Sequence, residues 1–269
     1  MNAIKDRENL ILAEAKKMNK EVFNEKNLVK DGTQKMDALK KSPKLVTLEE
    51  AIRKSGLKDG MTISFHHHFR GGDKVVNMVV DKLAEMGFKN LSLAASSLQD
   101  VHEPLIEHIK NGVITSISTS GLRGKLADEI SRGLMDTPVV FRSHGGRGSA
   151  IATGELHIDV AFIGASSSDP MGNACGFSRS ENAKSICGSL GYALPDAQYA
   201  DKVVILTDDL VAFPNTPNSI SERNVDFVVE VESVGDSSKI ASGAIRDTKN
   251  PRDILLAQSA AKVIVNSGY

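Results

Sequence analysis

Tryptophan is absent from the 269 residues, and aromatic residues make up only 4% of the chain. A stacking platform for nucleic-acid bases needs exposed rings, so that mode of binding is disfavoured. An excess of one charge is also missing: 33 Lys and Arg face 34 Asp and Glu, a formal net charge of −1. No global field draws the chain to a polyanion or an anionic membrane. Only two cysteines occur, Cys175 and Cys187. Their spacing makes neither a CxxC pair nor a zinc-type set, and so few thiols fit a reducing compartment. No apolar run reaches the roughly 18 residues of a membrane span. The charged start, "MNAIKDRENLILAEAKKMNKEV", has no apolar signal segment. The expectation is a soluble cytoplasmic protein with neither nucleic acid nor membrane as partner.

What is present is ordinary globular material, 41% hydrophobic and 25% charged. Residues 1–46 stand apart, with 11 Lys and Arg against 7 Asp and Glu and little strand pattern. They read as an N-terminal extension, with a short helix over 3–20. Residues 47–269 read as one α/β domain. Thr47 and Glu50 form a capping box, and Gly56 closes that helix. Strand and helix then alternate. Strands are expected at 62–65 and from Asn90, Ile114, Pro138, Asp159, Lys202 and Val225. Helices are expected at 74–86, 103–110 and from Leu122, with an amphipathic helix closing the chain. This alternation predicts an open, mostly parallel sheet with helices on both faces.

Three Gly- and polar-rich stretches follow strands: "HHHFRGGD", "SHGGRGSA" and "GASSSDPMGNACG". Read as turns, they gather on one edge of a parallel sheet and can form one site. Zinc is one option for the first, since His66 and His68 share a strand face and His144 could join them. No HExxH or second His-rich set supports it. Anion binding is the other. Gly71 and Gly72 let backbone N–H groups approach a ligand, and Arg70 offers a planar fork for a carboxylate or phosphate. Ser143, His144, Gly145, Gly146 and Arg147 repeat the recipe. A serine nucleophile lacks the GxSxG elbow.

The stretches "SFHHHFRGGDKVVN", "GGRGSAIATGELHIDVAFIGASSSDPMGNACG" and "VDFVVEVESVGDSSKIASGAIRDTKNP" resemble the citrate lyase alpha subunit, a citrate CoA-transferase. The middle one is similar to the wider CoA-transferase family. The resemblance runs from about Leu45 onward. It implies a CoA-transferase-like domain that exchanges acetyl for citryl on a thioester. That thioester rides on a CoA-derived prosthetic group of an acyl-carrier (gamma) subunit, or on acetyl-CoA, and a beta subunit then cleaves the citryl product. It implies an oligomeric, multi-subunit enzyme with no metal and no directly bound cofactor. Family chains are about twice this length, so the chain corresponds to an N-terminal half.

On this reading His66, His67, His68 and His144 are candidate catalytic residues. Arg70, Gly71, Gly72, Ser143, Gly145, Gly146 and Arg147 are candidates for substrate binding. Ser168, Asp169, Gly172 and Asn173 would lie beside the thioester arm. Rival readings are a citramalate-type transferase, a ligand-sensing module, a structural half completed by another domain, and a zinc hydrolase. No helix-turn-helix favours a regulator.

Overall fold

A computed structural model describes residues 44–66, 69–178, 180–181, 186–188, 190–240 and 249–267. The helix expected over residues 3–20, and His67 and His68, lie outside this set. The expected capping box is formed around helix α1, Leu48–Ser55. Glu50 N donates to Thr47 Oγ1, Thr47 N donates to Glu50 Oε2, and Gly56 closes the helix at φ 75°. A cap of this kind contributes about 1 kcal/mol.

Seven strands build one sheet: β1 (Thr62–His66), β2 (Leu91–Ala95), β3 (Ile114–Thr119), β4 (Val140–Phe141), β5 (Val160–Ala165), β8 (Lys202–Thr207) and β9 (Phe227–Glu230). Their spatial order is β4-β3-β2-β1-β5-β8-β9, and every pairing is parallel. The chain runs outward from β1 to β4, returns to place β5 beside β1, and then runs outward the other way. The topological switch therefore lies between β1 and β5, where open parallel sheets open a crevice at their C-terminal edge. Central β5 is buried along its whole length, as a strand covered on both faces must be. A small antiparallel pair, β6 (Ser167–Ser168) with β7 (Ala174–Cys175), sits apart from the sheet.

Helices cover both faces, as expected. Phe65 of β1 stacks on Phe162 of β5 with ring centroids 5.6 Å apart, so both point to one side. Val75 of α2 (Val75–Glu85) packs against Gly164, which shares that side. Ser64 points the other way and meets Arg147 of α5 (His144–Ala152). The α5 helix packs on α6 (Leu194–Tyr199), a short helix not read from the sequence. Helices α3 (Leu105–Lys110) and α4 (Gly124–Ser131) complete the outward run.

Several boundaries differ from expectation. The strand expected from Pro138 shrinks to two exposed edge residues, Val140 and Phe141. The strand expected from Val225 stops at Glu230, because the chain then turns to pack on the segment after β1. The helix expected from Leu122 starts at Gly124. Lys44 to Val46 pair with β9 through Leu45 and Val228, so the folded unit includes them.

The last helix, α7 (Pro251–Asn266), is present but exposed throughout, with Leu255, Leu256 and Val263 more than 60% accessible.

Candidate functional site

The segment after β1 is held from behind. Phe69 is buried, and Arg70–Gly72 form one turn of 3-10 helix. Asp236 N donates to Gly72 O, and Lys74 N donates to Val234 O. The contact leaves no room for side chains: a Cβ on Gly72 would lie 2.3 Å from Asp236 O. Arg70 itself is exposed and takes φ 49°, the left-handed region that costs a non-glycine residue about 1–2 kcal/mol. The surrounding clasp holds that conformation and leaves the guanidinium at the surface of the switch-point edge.

"SHGGRGSA" is not a turn. Ser143 caps helix α5 by accepting from Gly146 N at 3.0 Å, and His144 to Ala152 are helical. Glycines at 145 and 146 disfavour a helix by about 1 kcal/mol each. Tertiary anchoring overrides them, and Arg147 is the anchor. Its guanidinium reaches the Asp196 carboxylate of α6 through two bonds of 2.8 and 2.6 Å, and also donates to Ser64 Oγ at 2.8 Å. Both charged side chains are 1% exposed. Burial works against the Arg147 charge, but the hydrogen bonds and charge of Asp196 more than offset it, and its pKa rises. Arg147 was expected to hold substrate; it is instead a buried strut joining β1, α5 and α6, because both terminal nitrogens are taken up by the fold. Ser143, Gly145 and Gly146 remain at the helix start, and Gly145 has open space where a Cβ would be.

Above the strut lies a ring cluster. Tyr192 sits in the 3-10 turn that leads into α6. Its ring centroid is 5.0 Å from that of His66 and 5.0 Å from that of His144, and Arg147 Cζ lies 5.8 Å from it. The Tyr192 hydroxyl donates to His144 O at 3.0 Å. Tyr192, Asp196 and Ser64 were not read from the sequence. A signal existed in "GYALPDAQY", where Pro195 in the first turn marks a helix start.

Burial, reinforced by the Arg147 charge and by His144 nearby, pushes the His66 imidazole down to about 3. It is neutral at pH 7 and offers one N–H donor and one acceptor. The folded pKa lies below the unfolded value, so protonation favours unfolding. The stability linked to His66 is complete above about pH 6.5 and is lost as pH falls toward 3. NMR should find the His66 ring resonances unmoved between pH 8 and 5. A titration midpoint near 6.5 would contradict this reading.

The third stretch turns its side chains inward. Asp169 is fully buried; its Oδ1 accepts from the backbone N–H groups of Met171, Gly172 and Asn173. Its other oxygen accepts from Asn173 Nδ2 and Asn215 N. Asn173 also binds Glu222, and the Ser168 hydroxyl donates to Asp169 O. Gly172 adopts φ 103° with Val225 where a side chain would go. These four residues shape the loop, and the side chains of Ser168, Asp169 and Asn173 are engaged within the protein.

Among the described residues, a three-ligand grouping suited to a metal ion is His157, Asp159 and Asp201. It lies at the start of β5 and β8, the opposite edge from the ring cluster, and is largely exposed.

The family model for citrate lyase, alpha subunit, matches residues 42–269. The chain belongs to the citrate lyase alpha-subunit family. It is 61% identical over 230 residues to the citrate lyase alpha chain of Haemophilus influenzae, covering 85% of this chain and 45% of that one. The Klebsiella pneumoniae alpha chain is 63% identical over 223 residues, with 83% and 43% covered. A crystal structure of the alpha subunit of citrate lyase from Streptococcus mutans, in complex with citrate, superposes with TM-score 0.76 at 59% identity. The match covers 83% of this chain and 43% of that one. An acyl-CoA transferase from Escherichia coli O157:H7 shares the fold at TM-score 0.52 and 13% identity, over 80% of this chain and 53% of that one. The chain thus spans less than half the length of its citrate lyase relatives. Among the described residues no helix is long and apolar enough to cross a membrane.

Proposed function

We propose that the chain carries the citrate-binding part of a citrate CoA-transferase, the alpha component of citrate lyase. The observation that carries this reading is the switch-point edge. There two imidazoles flank Tyr192 beside the α5 N-terminus, in a chain of the citrate lyase alpha family. The overall exchange turns acetyl-thioester and citrate into citryl-thioester and acetate. A citrate carboxylate oxygen attacks the thioester carbonyl carbon; a C–O bond forms, the C–S bond breaks, and thiolate leaves. The thiolate then attacks the citryl carbonyl of the mixed anhydride, a C–S bond forms, and acetate leaves. No electrons change hands and no net proton is needed.

Such a reaction needs carboxylate recognition and stabilisation of a developing oxyanion. Arg70 is the exposed fork for a carboxylate. The N–H of Gly145 and the neutral His66 are donors for the carbonyl oxygen, Gly146 N–H being held by Ser143, and His144 adds a second imidazole. The loop shaped by Asp169 and Asn173 forms a wall for the thioester arm. The thioester is substrate here, delivered on an acyl-carrier (gamma) partner, and a beta subunit consumes the citryl product. The complex would work in the cytoplasm.

Calorimetric titration with citrate tests the reading. Arg70→Ala should weaken citrate binding about tenfold, the worth of one charge-assisted contact. Unchanged affinity in that variant removes Arg70 from the site. Exposed Leu255, Leu256 and Val263 on α7 favour a second reading, a half-domain whose site another body completes. On that reading the folded chain alone binds neither citrate nor acetyl-CoA. Parallel titrations with citrate and citramalate separate the two substrate types.

A further inference from the structure

Tyr192 touches several parts of the switch-point edge. It comes from the α6 side, yet its ring packs on His66 at the end of β1 and on His144 at the start of α5. Its hydroxyl donates to His144 O and lies 3.5 Å from Ser120 Oγ, just past β3. Four residues further on, Asp196 is locked to Arg147 and Ser64. The turn that carries Tyr192 is therefore fixed to the sheet by a buried ion pair.

We propose that Tyr192 is a positioning residue that sets the spacing and orientation of His66 and His144, so that both present their ring nitrogens to one acyl group. This rests on the acyl-transfer reading above. The ring carries the effect: it is the spacer that both imidazoles lean on. The hydroxyl plays a narrower part, holding the first residue of α5. A misplacement on the order of 1 Å in such a pair costs up to about a hundredfold in rate. The Arg70 fork stands on a different segment, braced by Gly72 and Asp236, so substrate affinity is separable from imidazole placement.

The test uses Tyr192→Leu and Tyr192→Phe in the alpha chain within its assembled enzyme, with acetyl-CoA and citrate as exchange substrates. NMR of the same variants labelled at histidine follows the rings. Tyr192→Leu should shift both the His66 and the His144 resonances and lower kcat about tenfold, with KM for citrate within about twofold. Tyr192→Phe should leave His66 in place, move His144 only slightly, and restore most of kcat. Unmoved resonances in the leucine variant overturn the proposal. So does a phenylalanine variant as impaired as the leucine one, or a folded leucine variant with full kcat. If the unaltered enzyme shows no exchange and no citrate binding, the functional reading fails instead, and the histidine resonances alone decide whether Tyr192 places the rings.

Discussion

Replacing Asp196 with alanine is expected to destabilise the domain by about 3–5 kcal/mol, because the Arg147 charge is then buried without its partner. Both side chains are 1% exposed, so no water can take the carboxylate's place without opening the α5–α6 pair. A contrast sits on the surface. Arg53 and Glu49 meet at 2.7 Å on α1 but are 66% and 50% exposed. Breaking that pair should cost under about 1 kcal/mol. Denaturant unfolding measures both. Asp196→Ala should lower the transition midpoint with little change in slope, or lower Tm by about 6–20 °C for a chain of this size. The double variant Arg147→Met with Asp196→Leu removes both charges together and should recover most of the loss. If Asp196→Ala unfolds within about 1 kcal/mol of the parent, the strut is not what anchors α5.

Gly235→Val should cost about 3 kcal/mol, at the upper end for an over-packed core, and should abolish measurable citrate binding as well. A Cβ at Gly235 would fall 2.3 Å from Cγ of Phe69, with two more Phe69 atoms within 2.7 Å. Phe69 is 1% exposed and cannot swing into solvent. It immediately precedes Arg70, so a displaced ring shifts the exposed guanidinium. Stability by unfolding and affinity by citrate titration should fall together. Phe69→Leu in the Gly235→Val background should restore part of the stability. A Gly235→Val chain with unaltered citrate affinity would separate the clasp from the site.

The layers of the fold were legible because each element carried its own local signal. The capping box at Thr47 and Glu50, the valines of α2 and the apolar run of β5 are each readable within about ten residues. Failures came where distant contacts overrode local preference. "SHGGR" reads as a turn by propensity, yet it is helical because Arg147 finds Asp196, 49 residues away. Val231 continues an alternating pattern, yet the strand ends because Gly235 must meet Phe69. In the site, position along the chain anticipated that the end of β1 and the start of α5 come together, as His66 and His144 do on Tyr192. The roles were less legible. Asp169 and Arg147 look like ligand contacts in sequence, but their partners lie within the protein. Tyr192 carried no motif, because its significance arises only from which rings it meets.

The placement of β5 beside β1 also sets an order of events at the ribosome. Thr62 and its partner Asp159 are 97 residues apart. At about 5–20 residues per second, some 5–20 s of synthesis separate the two strands. Through that interval the nascent chain can pair β1 with β2 and β2 with β3, but the other backbone edge of β1, which includes Thr62 O, has no neighbour. A bare edge of this kind is a template for pairing with another chain. The growing polypeptide is therefore most exposed to misassembly before β5 emerges. Chaperones that cover unpaired strands have their window there.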